Sequence, residues 1–150
     1  MNTLSGPKLV SIILTKEHGY AAGVALSSWV ALQYMGVRVM KARKRWNVNY
    51  PKLYADEQSD EHGREFNCVQ RGHQNTLENY PQFLMLLGLG SIKYPLVSSI
   101  GGGIWIVGRL LYFHGYATGN PKNRQWGSFQ YIGIFTMLGC AVKMIYDLVI

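Results

Sequence analysis

The chain has 150 residues, of which 48% are hydrophobic and 15% are charged. This length fits one domain, and so apolar a composition excludes an intrinsically disordered or collagen-like protein. The formal net charge of +7 could indicate nucleic-acid binding, so the positions of the basic residues must decide what they serve.

The first predicted element is a membrane span between Glu17 and Arg38. The twenty residues from His18 to Val37 contain no Asp, Glu, Lys or Arg, which is enough to cross a hydrocarbon core of about 30 Å. The residues before it, Met1 to Lys16, lack the basic start, short apolar core and cleavage site of a secretory signal. We therefore expect the segment to remain as an anchor.

Three further helices are predicted from windows rich in apolar residues and glycine, namely Tyr80 to Ile92, Leu96 to Tyr116 and Trp126 to Val142. Tight connections are expected at Lys93-Tyr94-Pro95 and Gly119-Asn120-Pro121. Membrane helices tolerate glycine because small residues let helices approach closely. The prediction is an all-α integral membrane protein, one domain over 1–150, with four transmembrane helices at about 18–40, 68–92, 96–117 and 126–148 in a four-helix bundle. A soluble four-helix protein is the alternative.

Basic residues are concentrated in the first and third connections between these helices. Nine Lys and Arg residues lie there, against three in the N-terminal segment and second connection. The positive-inside rule then places both connections in the cytosol and both termini in the lumen, and no nucleic-acid partner is needed to explain the charge. The run KARKR, Lys41 to Arg45, is either a solvated juxtamembrane segment or a contact for anionic lipid.

One face of the second helix combines a cation, an amide and an anion. Arg71, Asn75 and Glu78 have the spacing i, i+4 and i+7, and ionisable groups in a span are costly enough to suggest function. A structural Arg–Glu pair that bridges two helices is the alternative.

A second polar stripe is predicted on the third helix, where Arg109, Tyr112 and Tyr116 have the spacing i, i+3 and i+7. These tyrosines could instead be packing or membrane-interface residues. If the two stripes faced one cavity, it would offer partners for carboxylates, an ammonium group and peptide bonds. Glutathione has these groups, and a nearby guanidinium would favour its thiolate. The sequence spacing of the cysteines (Cys68 and Cys140) and of the histidines is not that of metal ligands, so no metal is expected.

Three runs carry a resemblance to a known family. FNCVQRGHQNTLENYPQF, from Phe66 to Phe83, lies between KARKRWNVNYP and GRLLYFHGYATGNP. Together they resemble the membrane-associated proteins in eicosanoid and glutathione metabolism, the MAPEG family, and most closely its type-three microsomal glutathione S-transferases. The likeness covers roughly Lys16 to Tyr146 and centres on Arg71-x3-Asn75-x2-Glu78-x2-Pro81.

The resemblance implies roles for individual residues. It implies that five side chains hold glutathione as co-substrate: Arg71, Asn75, Glu78, Tyr112 and Tyr116. Arg124 is the candidate for the catalytic arginine beside the sulfur, with Lys122 as the alternative. Arg43 and His73 would reach the glutathione of a neighbouring subunit in a homotrimer.

The implied activity is conjugation of glutathione to hydrophobic electrophiles, with glutathione-dependent reduction of lipid hydroperoxides. The implied location is the endoplasmic reticulum membrane or the nuclear envelope, with membrane lipid and further copies of the chain as partners. Leukotriene C4 synthases have a tyrosine at the position of Asn79 and an arginine at that of Lys44, which weighs against the leukotriene-forming reaction. Such an activity and a non-enzymatic lipid-binding adaptor of the same fold are the alternatives.

Overall fold

The computed structural model describes residues 14–150, which are helical apart from the connections between helices. The helices are α1 (Lys16–Arg45), α2 (Gly63–Lys93), α3 (Pro95–Tyr116) and α4 (Gln130–Val149), with a 3₁₀ segment (Pro121–Gly127) between the last two. The all-α prediction is confirmed. The prediction that no secretory signal precedes the first helix depends mainly on residues outside the described range.

A single residue, Tyr94, separates α2 from α3. Pro95 begins α3, a position where proline is favoured because the first turn of a helix has no partner for its N–H group. The tight connection predicted around Tyr94 therefore lies where the sequence places it, and it makes α2 and α3 neighbours in the bundle.

The fourth helix begins later than the sequence predicts, at Gln130 instead of Trp126. The residues before Gln130 form the 3₁₀ segment instead, and the Asn120 side chain caps its start by accepting a hydrogen bond from the Lys122 N–H group at 3.1 Å. That segment lies directly on α3, because a Cβ atom at Gly127 would be 2.0 Å from the carbonyl oxygen of Gly108. This close contact fixes the segment, and Arg124 within it, against the end of α3.

The connection between α1 and α2 is held by side-chain hydrogen bonds. Asn67 binds the backbone of Ala55 twice, accepting its N–H group at 2.8 Å and donating to its carbonyl oxygen at 3.0 Å. Asp56 accepts hydrogen bonds from the Gln58 N–H group and the Ser59 hydroxyl, which lower the pKa of the Asp56 carboxyl. The connection is thus anchored to the first turns of α2.

The interior of the bundle contains two hydrophobic clusters along its length. One includes Met35, Phe66 and Phe113, and the other includes Phe83 and Trp105, whose rings stack with centroids 3.9 Å apart. Asn75, Glu78 and Arg109, which are described below, lie between these clusters along α2 and α3.

The outer surface of the bundle is rich in large apolar side chains. Examples on α1 and α4 are Leu26, Trp29, Phe135 and Val142, each more than half exposed. Helices α3 and α4 are long and apolar enough to cross a bilayer. The membrane nature of the protein is therefore supported by two helices, while spanning by the more polar α1 and α2 stays a prediction.

Candidate functional site

The polar stripe on α2 forms a hydrogen-bonded set within that helix. Arg71 donates to Glu78 at 2.8 Å, and the Asn75 amide donates to the other carboxylate oxygen of Glu78 at 3.4 Å. The side chains of Arg71 and Glu78 are 43% and 44% exposed, so a ligand can reach both. The Arg–Glu pair is present, and it lies within α2 instead of joining two helices of the described chain.

The stripe on α3 meets the stripe on α2 through Arg109. This residue is only 4% exposed, and its guanidinium donates to the Asn75 side-chain oxygen at 2.9 Å. Hydrogen bonds therefore connect Arg109 to Asn75, Asn75 to Glu78, and Glu78 to Arg71. The two stripes are thus in contact, although Arg109 itself points into the bundle.

Arg109 also ties three helices together. It donates to Thr76 of α2 at 2.9 Å and to Gln130 of α4 at 3.0 Å, and its guanidinium carbon lies 4.4 Å from the centre of the Tyr112 ring. These contacts surround a buried charge with neutral acceptors and an aromatic face, both of which stabilise a cation. Arg109 therefore positions Asn75 and Tyr112.

The two tyrosines of α3 lie between the α2 stripe and the 3₁₀ segment. The rings of Tyr112 and Tyr116 are 5.4 Å apart in an edge-to-face arrangement, and the Arg124 guanidinium lies 5.9 Å from the Tyr116 ring centre. Tyr112 also lies within electrostatic range of both Arg71 and Arg124. One open face thus presents two exposed guanidinium groups, a carboxylate, an amide and two phenols.

Arg124 and its alternative Lys122 differ in their surroundings. Arg124 donates to the Pro121 carbonyl at 3.2 Å and keeps its guanidinium beside Tyr116, while remaining exposed. Lys122 is also exposed, and its described contact is the backbone bond to Asn120. The geometry therefore favours Arg124 over Lys122 as the exposed cation beside Tyr116.

Arg43 and His73 lie on a different face from Arg71, and both line one cavity of about 410 Å³ between α1 and α2. Within its own chain, Arg43 is buried and donates to the carbonyl oxygens of Val48 at 3.0 Å and Lys52 at 2.8 Å. The structure brings these two residues together but away from the other candidates. Their part in a neighbouring subunit's site stays a prediction.

Three residues at the site were not singled out from the sequence. Thr76 and Gln130 bind Arg109, and the Tyr54 phenol from the α1–α2 connection lies near Arg71. Gln130 could have been found as a polar residue at the start of an apolar helix, whereas nothing in the sequence links Tyr54 to α2. Among residues 14–150, no group of three or more His, Cys, Asp or Glu side chains could hold a metal ion.

Comparisons with known proteins identify the family to which the chain is similar. A family model described as MAPEG family matches residues 21–143. Microsomal glutathione S-transferase 2 from Homo sapiens is 31% identical over 118 residues, which are 78% of this chain and 75% of that protein, and the Mus musculus protein matches equally. An uncharacterized protein from Synechocystis is 35% identical over 53% of this chain and 54% of its own. The named relatives are type-two enzymes, whereas the sequence resemblance points to the type-three subgroup.

Proposed function

Because the chain belongs to the MAPEG family, we propose that it is a membrane glutathione transferase that conjugates glutathione to hydrophobic electrophiles. The relatives carry a transferase name, and one face of this chain presents groups that suit the charges and peptide bonds of glutathione. The observation that supports the proposal most strongly is the 2.9 Å hydrogen bond from Arg109 to Asn75, because it joins the polar stripes of α2 and α3.

Glutathione would bind by exchange of partners on the α2 stripe. In the free protein Arg71 and Glu78 pair with each other, and an exposed pair of this kind holds together weakly. A ligand with carboxylates and an ammonium group can replace each partner, giving Arg71 a carboxylate and Glu78 a cation. Asn75 and the phenols of Tyr112 and Tyr116 offer hydrogen bonds to the peptide groups.

Arg124 would hold the sulfur as thiolate, since a nearby guanidinium favours the ionised form of a thiol. The thiolate attacks an electrophilic carbon and a carbon–sulfur bond forms. In a substitution, the electron pair of the bond that breaks leaves with the departing group; in an addition to a double bond, the displaced electron pair takes up a proton. With a lipid hydroperoxide, the thiolate attacks the terminal oxygen and the oxygen–oxygen bond breaks. The products are a glutathione sulfenic acid and an alkoxide, which takes up a proton to give the alcohol. A second glutathione then displaces water from the sulfenic acid and gives the disulfide, so the peroxidase reaction uses two thiols.

We also propose that the chain works as a homotrimer in the endoplasmic reticulum membrane, with four spans and lumenal termini. Arg43 and His73 support this assembly, because they line a cavity on another face and would serve a neighbour's glutathione from there. The exposed apolar side chains of α1, such as Leu26 and Trp29, support a lipid environment for that helix as well.

The test uses protein purified in neutral detergent and assayed in parallel for glutathione conjugation and for hydroperoxide reduction. Arg124→Ala should keep glutathione affinity within a modest factor, yet move thiolate formation toward the value of about 8.5 for an unperturbed thiol. Lys122→Ala is the matched control and should titrate as the wild type does. If Arg124→Ala leaves the thiolate titration unchanged, the sulfur partner is another group. If the wild type binds no glutathione saturably, the protein is an adaptor and the transferase proposal fails.

A further inference from the structure

A groove between α1 and α3 shares no lining residue with the proposed glutathione site. On α1 its lining residues follow one another at steps of four and three, which places them on one face of the helix: Ser27, Ala31, Tyr34, Arg38, Lys41 and Arg45. On α3 the groove follows Ile106, Leu110 and His114, and then reaches Ala117 just beyond the helix. The stripe is apolar at one end and basic at the other.

The part of the groove nearer the middle of the helices is apolar. It has a volume of about 550 Å³, and its walls include Val30, Ala31, Ile106 and Leu110. These residues lie in the uncharged stretch of α1 and within α3, at the depth where lipid chains would surround the bundle. Its dimensions and composition suit a hydrocarbon chain.

A separate basic cavity of about 490 Å³ lies beyond this groove along the same face of α1. Arg38, Lys41 and Arg45 line it together with a single carboxylate, Glu65, so three positive charges face one negative charge. The Trp46 ring forms a further wall. An excess of two positive charges around a concave site is suited to an anionic group such as a phosphate.

Tyr34 and His114 mark the boundary between the two parts. Their side chains form a hydrogen bond of 3.1 Å across the groove, from α1 to α3. Arg38 lies four residues after Tyr34, about one helical turn further along the same face. The basic cavity therefore lies about one helical turn beyond the apolar groove, on the same face of α1.

We propose that this groove binds an anionic phospholipid, with the headgroup phosphate among Arg38, Lys41 and Arg45 and an acyl chain against Ala31 and Leu110. The order of the lining residues matches the order of groups in such a lipid. The basic cavity lies at the end of α1 that leads into the first connection. The distribution of Lys and Arg places that connection in the cytosol, and the cytosolic leaflet carries anionic lipids. The bound lipid would link α1 to α3 along the outer side of the bundle.

The experiment titrates the full-length protein in neutral detergent with phosphatidic acid, with phosphatidylcholine of the same chains, and with glycerol phosphate. Bound lipid is counted by native mass spectrometry. Phosphatidic acid should bind at least about tenfold more tightly than phosphatidylcholine, because each nearby basic residue favours an anionic headgroup. Glycerol phosphate should compete weakly because it has no chain for the groove.

The double variant Lys41→Gln/Arg45→Gln should weaken phosphatidic acid binding by about tenfold and leave phosphatidylcholine binding unchanged. Lys52→Gln/Arg64→Gln is the matched control: it removes the same charge from the same side of the protein, outside the groove. Helix content and the detergent-unfolding midpoint report whether each variant folds, and Arg38→Gln replaces the double variant if it does not.

Equal binding of the two phospholipids by the wild type would overturn the proposal, as would equal losses in the two double variants. Competition by glycerol phosphate at the affinity of phosphatidic acid would show a site for a soluble phosphate and would also overturn it. If every groove variant retained as much lipid as the wild type, another occupant, such as a second copy of the chain, would cover this face, and the proposal would be overturned. None of these readouts uses glutathione, so their failure is distinct from failure of the transferase proposal.

Discussion

Replacement of Arg109 by leucine should destabilise the bundle by an amount that the structure allows us to estimate. The guanidinium donates to three side chains on two other helices: Asn75, Thr76 and Gln130. Side-chain hydrogen bonds between membrane helices contribute about 0.6 kcal/mol each on average and about 1.7 kcal/mol at most, so three partners give about 2 to 5 kcal/mol. Leucine fills part of the volume but provides no donor.

The three partners of Arg109 do not all lose their hydrogen bonds when Arg109 is replaced by leucine. Thr76 also donates to the Gly72 carbonyl at 3.0 Å and remains hydrogen-bonded without the guanidinium. The side-chain oxygens of Asn75 and Gln130 lose the donor described for them, and a buried acceptor left without a donor is costly. Asn75 should become less well oriented, so Arg109→Leu should weaken glutathione binding as well as stability.

The assay is reversible unfolding by a denaturing detergent, followed by helix content. Arg109→Lys retains the charge but cannot reproduce the fork that reaches three partners, so its stability should lie between those of the wild type and Arg109→Leu. Arg64→Leu, at an exposed position in the first turn of α2, is the matched control and should change stability by less than about 0.5 kcal/mol. If Arg109→Leu unfolded at the same denaturant concentration as Arg64→Leu, the role assigned to the buried hydrogen bonds would be refuted.

Two further predictions concern the packing of the 3₁₀ segment and the assembly of the site. Gly127→Ala should destabilise the protein by at least about 1 to 3 kcal/mol in the same unfolding assay, because its Cβ atom would lie 2.0 Å from the Gly108 carbonyl oxygen; Gly139→Ala, where the Cβ atom meets nothing within 4 Å, should be tolerated. His73→Ala and Glu78→Gln should each lose glutathione binding alone, whereas co-expressed chains should regain roughly a quarter of the sites by random assortment in a cyclic trimer. No recovery in mixed assemblies would contradict the role of His73 in a neighbouring subunit.

The polar stripes could be predicted from the sequence because helical periodicity alone places Arg71, Asn75 and Glu78 on one face. The same rule aligns Arg109 with Tyr112. Helical periodicity cannot decide how far each side chain reaches into the bundle, and Arg109 lies inside it whereas Arg71 and Glu78 are exposed. Its partners on other helices depend on helix packing, which is not encoded in any local pattern.

The late start of α4 illustrates a second limit. Apolar residues from Trp126 onward predict a helix, but the close contact of Gly127 with α3 holds these residues in the 3₁₀ segment. Likewise, the position of Tyr54 beside Arg71 depends on the path of a long connection, which hydrogen bonds from Asn67 fix in three dimensions. Tertiary contacts determine both features, so neither can be read from composition or spacing.

The central claim is that Arg71 and Glu78 bind the charged groups of glutathione. Calorimetric titration of glutathione into the detergent-solubilised protein tests it directly when the wild type is compared with Arg71→Gln/Glu78→Gln. Because the two side chains form an exposed pair, the double variant should remain folded, with a stability change of about 1 kcal/mol or less. We predict that its Kd for glutathione rises at least about tenfold. An unchanged Kd in a folded double variant would contradict the account.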